Sequence, residues 1–222
     1  MLRYILLSIF CLAATSMARA QLPPAGESYW SVRGGVAMSR MASDDYLTAY
    51  HTGFSLGVNY ALAISTQAPF YFESGLGFSR RGGDDYGYIG GDDMVYQMQS
   101  YSVDIPFSLL CRVNLTHRAA MLLNFGGYLS VAVAGRVDSS NFTFDPYRES
   151  VVLTRSYNAA EPTTIFHRFD SGIRYGFSFC LSRVEFNFNV SLGMVNLFSG
   201  KLREEGYQLK SKSMNLLVGY IF

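Results

Sequence analysis

Residues 184–198 read VEFNFNVSLGMVNLF. Val184, Phe186, Phe188, Val190, Leu192 and Met194 share one side of an extended chain, and Glu185, Asn187 and Asn189 share the other. Successive side chains of a strand point to opposite faces, so sustained period two predicts a strand rather than a helix. One face of this strand is large, apolar and partly aromatic. The other is small, amide-bearing or charged.

The same alternation recurs along the chain. Around residues 29–38 the apolar face is Trp30, Val32, Val36 and Met38, and around 53–62 it is Phe54, Leu56, Val58, Tyr60 and Leu62. Residues 69–80 give Phe70, Phe72, Leu76 and Phe78, and residues 97–111 give Tyr101, Val103, Ile105, Phe107 and Leu109. Residues 119–134 give Leu123, Phe125, Leu129, Val131 and Val133, and residues 165–181 give Phe169, Ile173, Tyr175, Phe177, Phe179 and Leu181. The chain ends on SMNLLVGYIF, residues 213–222, with Met214, Leu216, Val218, Tyr220 and Phe222 on one face. That makes eight strands.

The opposite faces carry six ionisable residues: Arg33, Glu73, Asp104, Asp170, Arg174 and Glu185. A soluble sandwich would turn such faces to water, but they hold few Lys and Glu for a solvated surface. An outer-membrane barrel inverts the arrangement, with the apolar face in lipid and the polar face in the lumen. A charge near the lipid midplane costs roughly 2–4 kcal/mol, so a one-residue slip that exposed all six would cost on the order of 10 kcal/mol or more. The pattern therefore specifies its own register.

Gap lengths give an independent reason. The connections AISTQA, RVNLTHR and SR are short, whereas the gaps at residues 39–52, 81–96, 135–164 and 199–212 are long. Short and long alternate, as in an up-and-down barrel with short periplasmic turns, long outer loops and both termini in the periplasm. The fold expected is all-β: an eight-stranded antiparallel up-and-down transmembrane β-barrel over residues 29–222, with residues 21–28 as a periplasmic N-terminal segment. Closure also leaves no sheet edge in hydrocarbon.

The first twenty residues, MLRYILLSIFCLAATSMARA, are a different kind of segment. A basic start at Arg3, a short apolar run and the Ala18-Arg19-Ala20 ending predict a secretory signal peptide cleaved before Gln21. The apolar run is too short for a comfortable membrane-spanning helix. Cys11 follows Phe10, where a lipoprotein signal would place a small residue. The two remaining cysteines, Cys111 and Cys180, fall on opposite strand faces and are expected to stay unbridged.

The chain is 49% hydrophobic and 15% aromatic, with a formal charge of only +1, which excludes an electrostatic nucleic-acid binder. No catalytic, cofactor-binding or metal-ligating constellation is read. GGDDYGYIGGDD, residues 82–93, brings together four carboxylates but lacks the fixed ligand spacing of a calcium loop. It is expected to be a solvated loop tip. His51, His117 and His167 are joined to no nucleophile by any motif, although Ser39, Ser43 and Asp44 share the outer-rim region with His51 and His167. The lumen charges are expected to pair as a structural plug. An eight-stranded interior is about wide enough to be filled by side chains, so a wide pore is not expected.

Read in order, several stretches resemble the PorT-like outer-membrane β-barrel proteins of Bacteroidota. They are VRGGVAMSRM (32–41), GFSLGVNYAL (53–62), FYFESGLGFSRRGG (70–83), YSVDIPFSLLCRV (101–113), LLNFGGYLSVAVAGRV (122–137), RFDSGIRYGFSF (168–179), EFNFNVSLGMVNL (185–197) and the terminal Phe222. Asp104-Ile105-Pro106 is the most specific piece, since a mid-strand proline lacks a ladder donor and implies a bulge or break. The ending at Tyr220 and Phe222 resembles the signal read by the barrel assembly machinery during biogenesis. The resemblance implies a protein defined by its barrel more than by one activity, whose namesake is associated with a secretion and gliding apparatus. The function expected is structural or interactive, with the outer loops and periplasmic turns as contact surfaces, outer-membrane lipid around the barrel and a protein or polysaccharide partner at the outer loops. The rival readings are a narrow ion or small-solute channel, a component of a secretion or gliding apparatus, and an outer-membrane enzyme.

Overall fold

The computed structural model describes residues 22–42, 49–65, 68–89, 92–139, 143–144, 166–198, 203–204, 206 and 208–222. Nine strands run β1 (Tyr29–Ala42), β2 (His51–Ala63), β3 (Phe70–Ile89), β4 (Asp92–Asn114), β5 (Ala119–Ser139), β6 (Thr143–Phe144), β7 (Phe169–Leu181), β8 (Val184–Gly193) and β9 (Lys210–Ile221). Eight are long. The two-residue β6 only lengthens the ladder of β5 at Val137 and Asp138.

The eight long strands form a closed antiparallel ring. Each pairs with its sequence neighbour, β5 pairs with β7, and β1 closes the ring against β9, where Ser31 lies opposite Ile221 and Ala42 opposite Lys210. Connections 64–69, 115–118 and 182–183 lie at one end, together with the start of β1 and the finish of β9. We call this the turn end and the opposite one the loop end. Ala63 N–H donates to Ser28 Oγ there.

Alternation sets the wall. Leu76, Phe125, Leu216 and Phe186 stand 50–65% exposed on the outside, while Ser79, Asn124, Asn215 and Glu185 are buried inside. Apolar side chains exposed around the whole circumference suit hydrocarbon, not water. Cys111 is half-buried on the outer face and Cys180 is buried on the inner one, and both are free thiols. No helix among the described residues is long and apolar enough to cross a membrane.

Several local expectations change. β1 runs on to Ala42, β5 runs on to Ser139 and β9 already starts at Lys210, each inside a gap expected as loop. The loop expected at residues 81–96 is largely strand: β3 and β4 stay paired from Arg81 opposite Ser100 up to Ile89 opposite Asp92. Backbone pairing thus carries residues 81–89 and 92–96 as extended arms of β3 and β4 rather than as irregular loop. The strand expected over residues 184–198 stops at Gly193, and residues 194–198 leave the wall to fold over the loop end. The strand expected from residue 165 begins at Phe169.

Pro106 produces the expected break on one side only. The β3–β4 ladder skips from Ser74 opposite Phe107 to Gly77 opposite Asp104, while Pro106 stays in register with Tyr128 of β5. N–H and C=O of one strand residue point to the same neighbour, so the missing proline donor faces β3. Ser74 Oγ donates to Pro106 O at 3.0 Å and so satisfies the acceptor left there. The β4–β5 ladder has its own register shift between Tyr101 and Ser102. The expected leader, including Ala18 and Ala20, lies outside the described residues, as does most of the loop after β5.

Candidate functional site

Every polar group that the alternation turns inward has to find a partner inside a narrow tube, because unpaired buried charge is costly. The lumen resolves into layers. At the turn end Tyr29, Tyr71, Leu110, Leu122, Cys180 and Ile221 form an apolar layer, with Leu22 packed against it. The segment before β1 lies across this mouth. Arg112 Nη1 donates to Pro23 O at 2.8 Å, and Gly26 N–H donates to Tyr71 OH at 2.8 Å.

Above that layer sits the first ionic group. Arg33 Nε donates to Glu185 Oε2 at 2.8 Å, and Nη1 and Nη2 grip both carboxylate oxygens of Glu73, the first at 2.8 Å. The bidentate fork is the geometry in which arginine binds carboxylate most strongly. Gly219 lies opposite both Arg33 and Glu185. A Cβ there would come within 2.8 Å of Arg33 Cγ, so the glycine provides the room that the guanidinium stem occupies.

An amide array continues upward. Asn124 Nδ2 donates to Asn189 Oδ1 at 2.7 Å, Asn189 donates to Asn187, and Asn187 Nδ2 donates to Ser178 Oγ at 2.7 Å. Arg174 enters at this level from β7. It makes no direct ion pair among the described residues and borders a cavity of about 20 Å³ shared with Asp104 and Asn189.

The second ionic group is nearer the loop end. Arg81 Nη2 lies 2.8 Å from Asp104 Oδ1 and Nη1 lies 3.9 Å from Asp170 Oδ2. Ser79 Oγ donates to Asp104 at 2.7 Å, and Tyr128 OH donates to Asp170 at 2.9 Å. The Arg81 guanidinium also stands over the Tyr128 ring at 5.4 Å. A cavity of about 40 Å³ adjoins this group. Met41, Met98, Ala132, Leu197, Phe198 and Leu209 then form a second apolar layer, with Phe166 stacked on Phe198 at 5.7 Å.

Arg33, Glu73, Asp104, Asp170, Arg174 and Glu185 thus all lie on the inner face, but in two groups with Arg174 between them. Sequence reasoning missed Arg81 and Arg112, the latter buried on the inner face at the turn end. With them the inner set among the described residues holds four cations and four anions, a balance that two against four lacked. The signal was the phase itself: Ser79, Arg81 and Gly83 continue the inward face once β3 is allowed to run on. The inward faces are also not uniformly polar, since an apolar layer lines the lumen at each end.

Two cavities of about 20 and 40 Å³ hold a water or a few, given that one water needs roughly 10–15 Å³ of such space. The histidines do not assemble a nucleophile among the described residues. Ser39 lies opposite His51, but its hydroxyl donates to Gly82 O at 3.0 Å and accepts from Gly82 N–H at 2.7 Å. His117 is exposed in a short turn, His167 is exposed at the loop end, and Ser43 and Asp44 lie outside the described residues.

Tyr220 and Phe222 sit on the outer wall at the turn end, ring centroids 5.0 Å apart and edge to face. Phe222 N–H donates to Trp30 O at 2.9 Å, and Trp30 packs on Tyr60 at 4.7 Å. The four rings form part of an aromatic collar of the kind that marks a membrane interface.

A family model described as the outer membrane protein beta-barrel domain matches residues 19–199. The chain matches no curated protein. Solved structures that resemble it include Ail, the attachment invasion locus protein of Yersinia pestis, in complex with the heparin analogue sucrose octasulfate. That pair shares 16% identity, covering 88% of this chain and 99% of that one, with a TM-score of 0.45. Neisserial surface protein A shares 12% identity over 88% and 99% of the two chains, with a TM-score of 0.48. The outer membrane protein OprG of Pseudomonas aeruginosa shares 12% over 90% and 99%, with a TM-score of 0.46.

Proposed function

Given that the chain belongs to the outer membrane protein beta-barrel domain family, we propose that it is a non-enzymatic, non-conducting barrel whose role is structural or interactive. It resides in the bacterial outer membrane. Its working surfaces are the two ends, and the lumen is a filled core. The observation that supports this is the layering of the lumen: ion-paired and amide-paired groups lie between an apolar layer of Tyr71, Leu110 and Leu122 and another of Met41, Leu197 and Phe198. A permeation path needs continuous polar, hydrated space, and apolar layers oppose it by excluding water.

In this reading residues 1–20 are removed on export. Residues 21–28 and the short turns face the periplasm, and the long connections face outward, in keeping with the usual placement of short turns. The assembly machinery reads the ending at Tyr220 and Phe222. The finer assignment, a PorT-like member of Bacteroidota, is carried by the run of motifs from VRGGVAMSRM to EFNFNVSLGMVNL. Calcium binding by the Asp-rich hairpin and a catalytic role for its histidines form no part of it.

Planar-bilayer recording on the refolded mature chain tests the reading. The expected result is no discrete conductance. Unitary steps that disappear in Asp104→Asn or Arg174→Ala would overturn it and establish a narrow channel. In parallel, photo-crosslinkers at Glu204 and His117 report which end meets a protein, and recurrent capture of secretion components would make the barrel a machine part.

A further inference from the structure

On the outer wall the seam between β1 and β9 changes character abruptly. From the turn end upward its outward rows are apolar: Val32 opposite Tyr220, Gly34 opposite Val218, Val36 opposite Leu216, Met38 opposite Met214. The next row places Arg40 directly opposite Lys212, and the row after it places Ala42 opposite Lys210. Three cations therefore occupy adjacent rows of one outward face. Like charges directly opposite across a strand pair repel. Nothing on the neighbouring strands offsets them: β1, β2 and β9 contain no acid, and the one acid of β8, Glu185, is buried in the lumen. Arg40 lies over the Tyr50 ring at 4.8 Å, which holds the guanidinium against the wall instead of releasing it to solvent.

Depth identifies what meets them. The ten positions from Trp30, in the aromatic collar, to Arg40 climb roughly 26 Å along the axis at about 3.4 Å per residue and a tilt near 40°. An outer-membrane apolar band is about 25 Å tall. Arg40 and Lys212 therefore sit where hydrocarbon gives way to headgroups on the far side from the collar. They are too high to lie among acyl chains and too low to be free in solvent.

We infer that Arg40, Lys212 and Lys210 form a binding site for the phosphate of an outer-leaflet lipid, with the acyl chains lying down the apolar rows of the same seam. The occupant is a phosphorylated lipid, since only a group tethered at this depth meets cations that face sideways off the wall. The anion also removes the repulsion across the seam. Which leaflet supplies it rests on the orientation proposed above.

The test uses the full mature barrel reconstituted in vesicles containing phosphorylated glycolipid or its dephosphorylated counterpart. The readout is lipid retained by native mass spectrometry, with heat-modified gel mobility as the check on folding. Wild type is expected to retain the phosphorylated lipid and not the dephosphorylated one. Retention should fall roughly tenfold or more in Arg40→Gln/Lys212→Gln, the scale for two cations at a charged surface, and stay unchanged in Arg118→Gln at the turn end. Lys212→Glu is expected to abolish retention while raising the unfolding midpoint of the lipid-free barrel, because it turns a repulsive row into an ion pair. Retention unchanged in the double variant overturns the site, as does a Lys212→Glu barrel that is less stable without lipid. Equal occupancy by inorganic phosphate overturns the lipid assignment. Impermeant labelling of Glu204→Cys on intact cells reads orientation separately, so a failure of topology is distinguishable from a failure of the site.

Discussion

Arg33 shows how one side chain organises this lumen. It bridges Glu73 on β3 and Glu185 on β8 from its place on β1, so a single guanidinium links strands separated by one neighbour on either side. Removing it strands two carboxylates in a nearly water-free space. Arg33→Met is expected to cost about 3–5 kcal/mol of unfolding free energy, the range for breaking one partner out of a buried ion group. Urea unfolding of the barrel in detergent micelles measures it. The triple change Arg33→Met, Glu73→Gln, Glu185→Gln should recover most of that loss, because no unpaired charge remains. Arg33→Lys keeps the charge but loses the fork and should fall between. A triple variant as unstable as the single one would mean that the ion group is not what holds the layer together.

The strand scale is where most of the fold was legible, and where the limits of legibility lie. Period two located all eight long strands and their phase, because lipid outside and packed side chains inside both act on every residue of the wall. At the strand ends one of those constraints lapses. Arg81 was read as loop because the apolar face falters after Phe78, yet backbone pairing to β4 runs on to Ile89 with no lipid to demand alternation. Leu197 and Phe198 looked like more strand because they are apolar. Their hydrophobicity is satisfied by the mouth of the barrel, and Leu197 N–H bonds to Leu209 O instead of to a wall strand. The inward apolar layers stayed hidden for a related reason: Tyr71, Leu110 and Leu122 obey the same period as the charges above them, and only three-dimensional stacking separates the two. Within the wall the phase makes a firm demand. Leu216→Arg, on the outward face and flanked by Val36 and Phe188, is expected to cost about 2–4 kcal/mol near the midplane. The folding equilibrium in lipid vesicles measures it. The same substitution at Lys212 should cost almost nothing.

For the whole molecule, the claim that matters is which side of the wall meets acyl chains. Spin labels at Phe188 and Leu216 should show high oxygen and low nickel-chelate accessibility in bilayers, and labels at Asn187 and Asn215 should show low values of both. Nickel accessibility at Leu216 would mean that the apolar wall faces water. The ring closes between its first and last strands, and this bears on how it is made. β1 exposes an unsatisfied edge until residues 210–221 arrive to pair with it, so the seam that completes the sheet joins the most distant parts of the chain. Such pairings are slow, and open edges invite aggregation while they wait. The sheet therefore stays without its final clasp until residues 210–221 are in place, and an escort that shields an incomplete sheet becomes a requirement of the architecture rather than an aid to it.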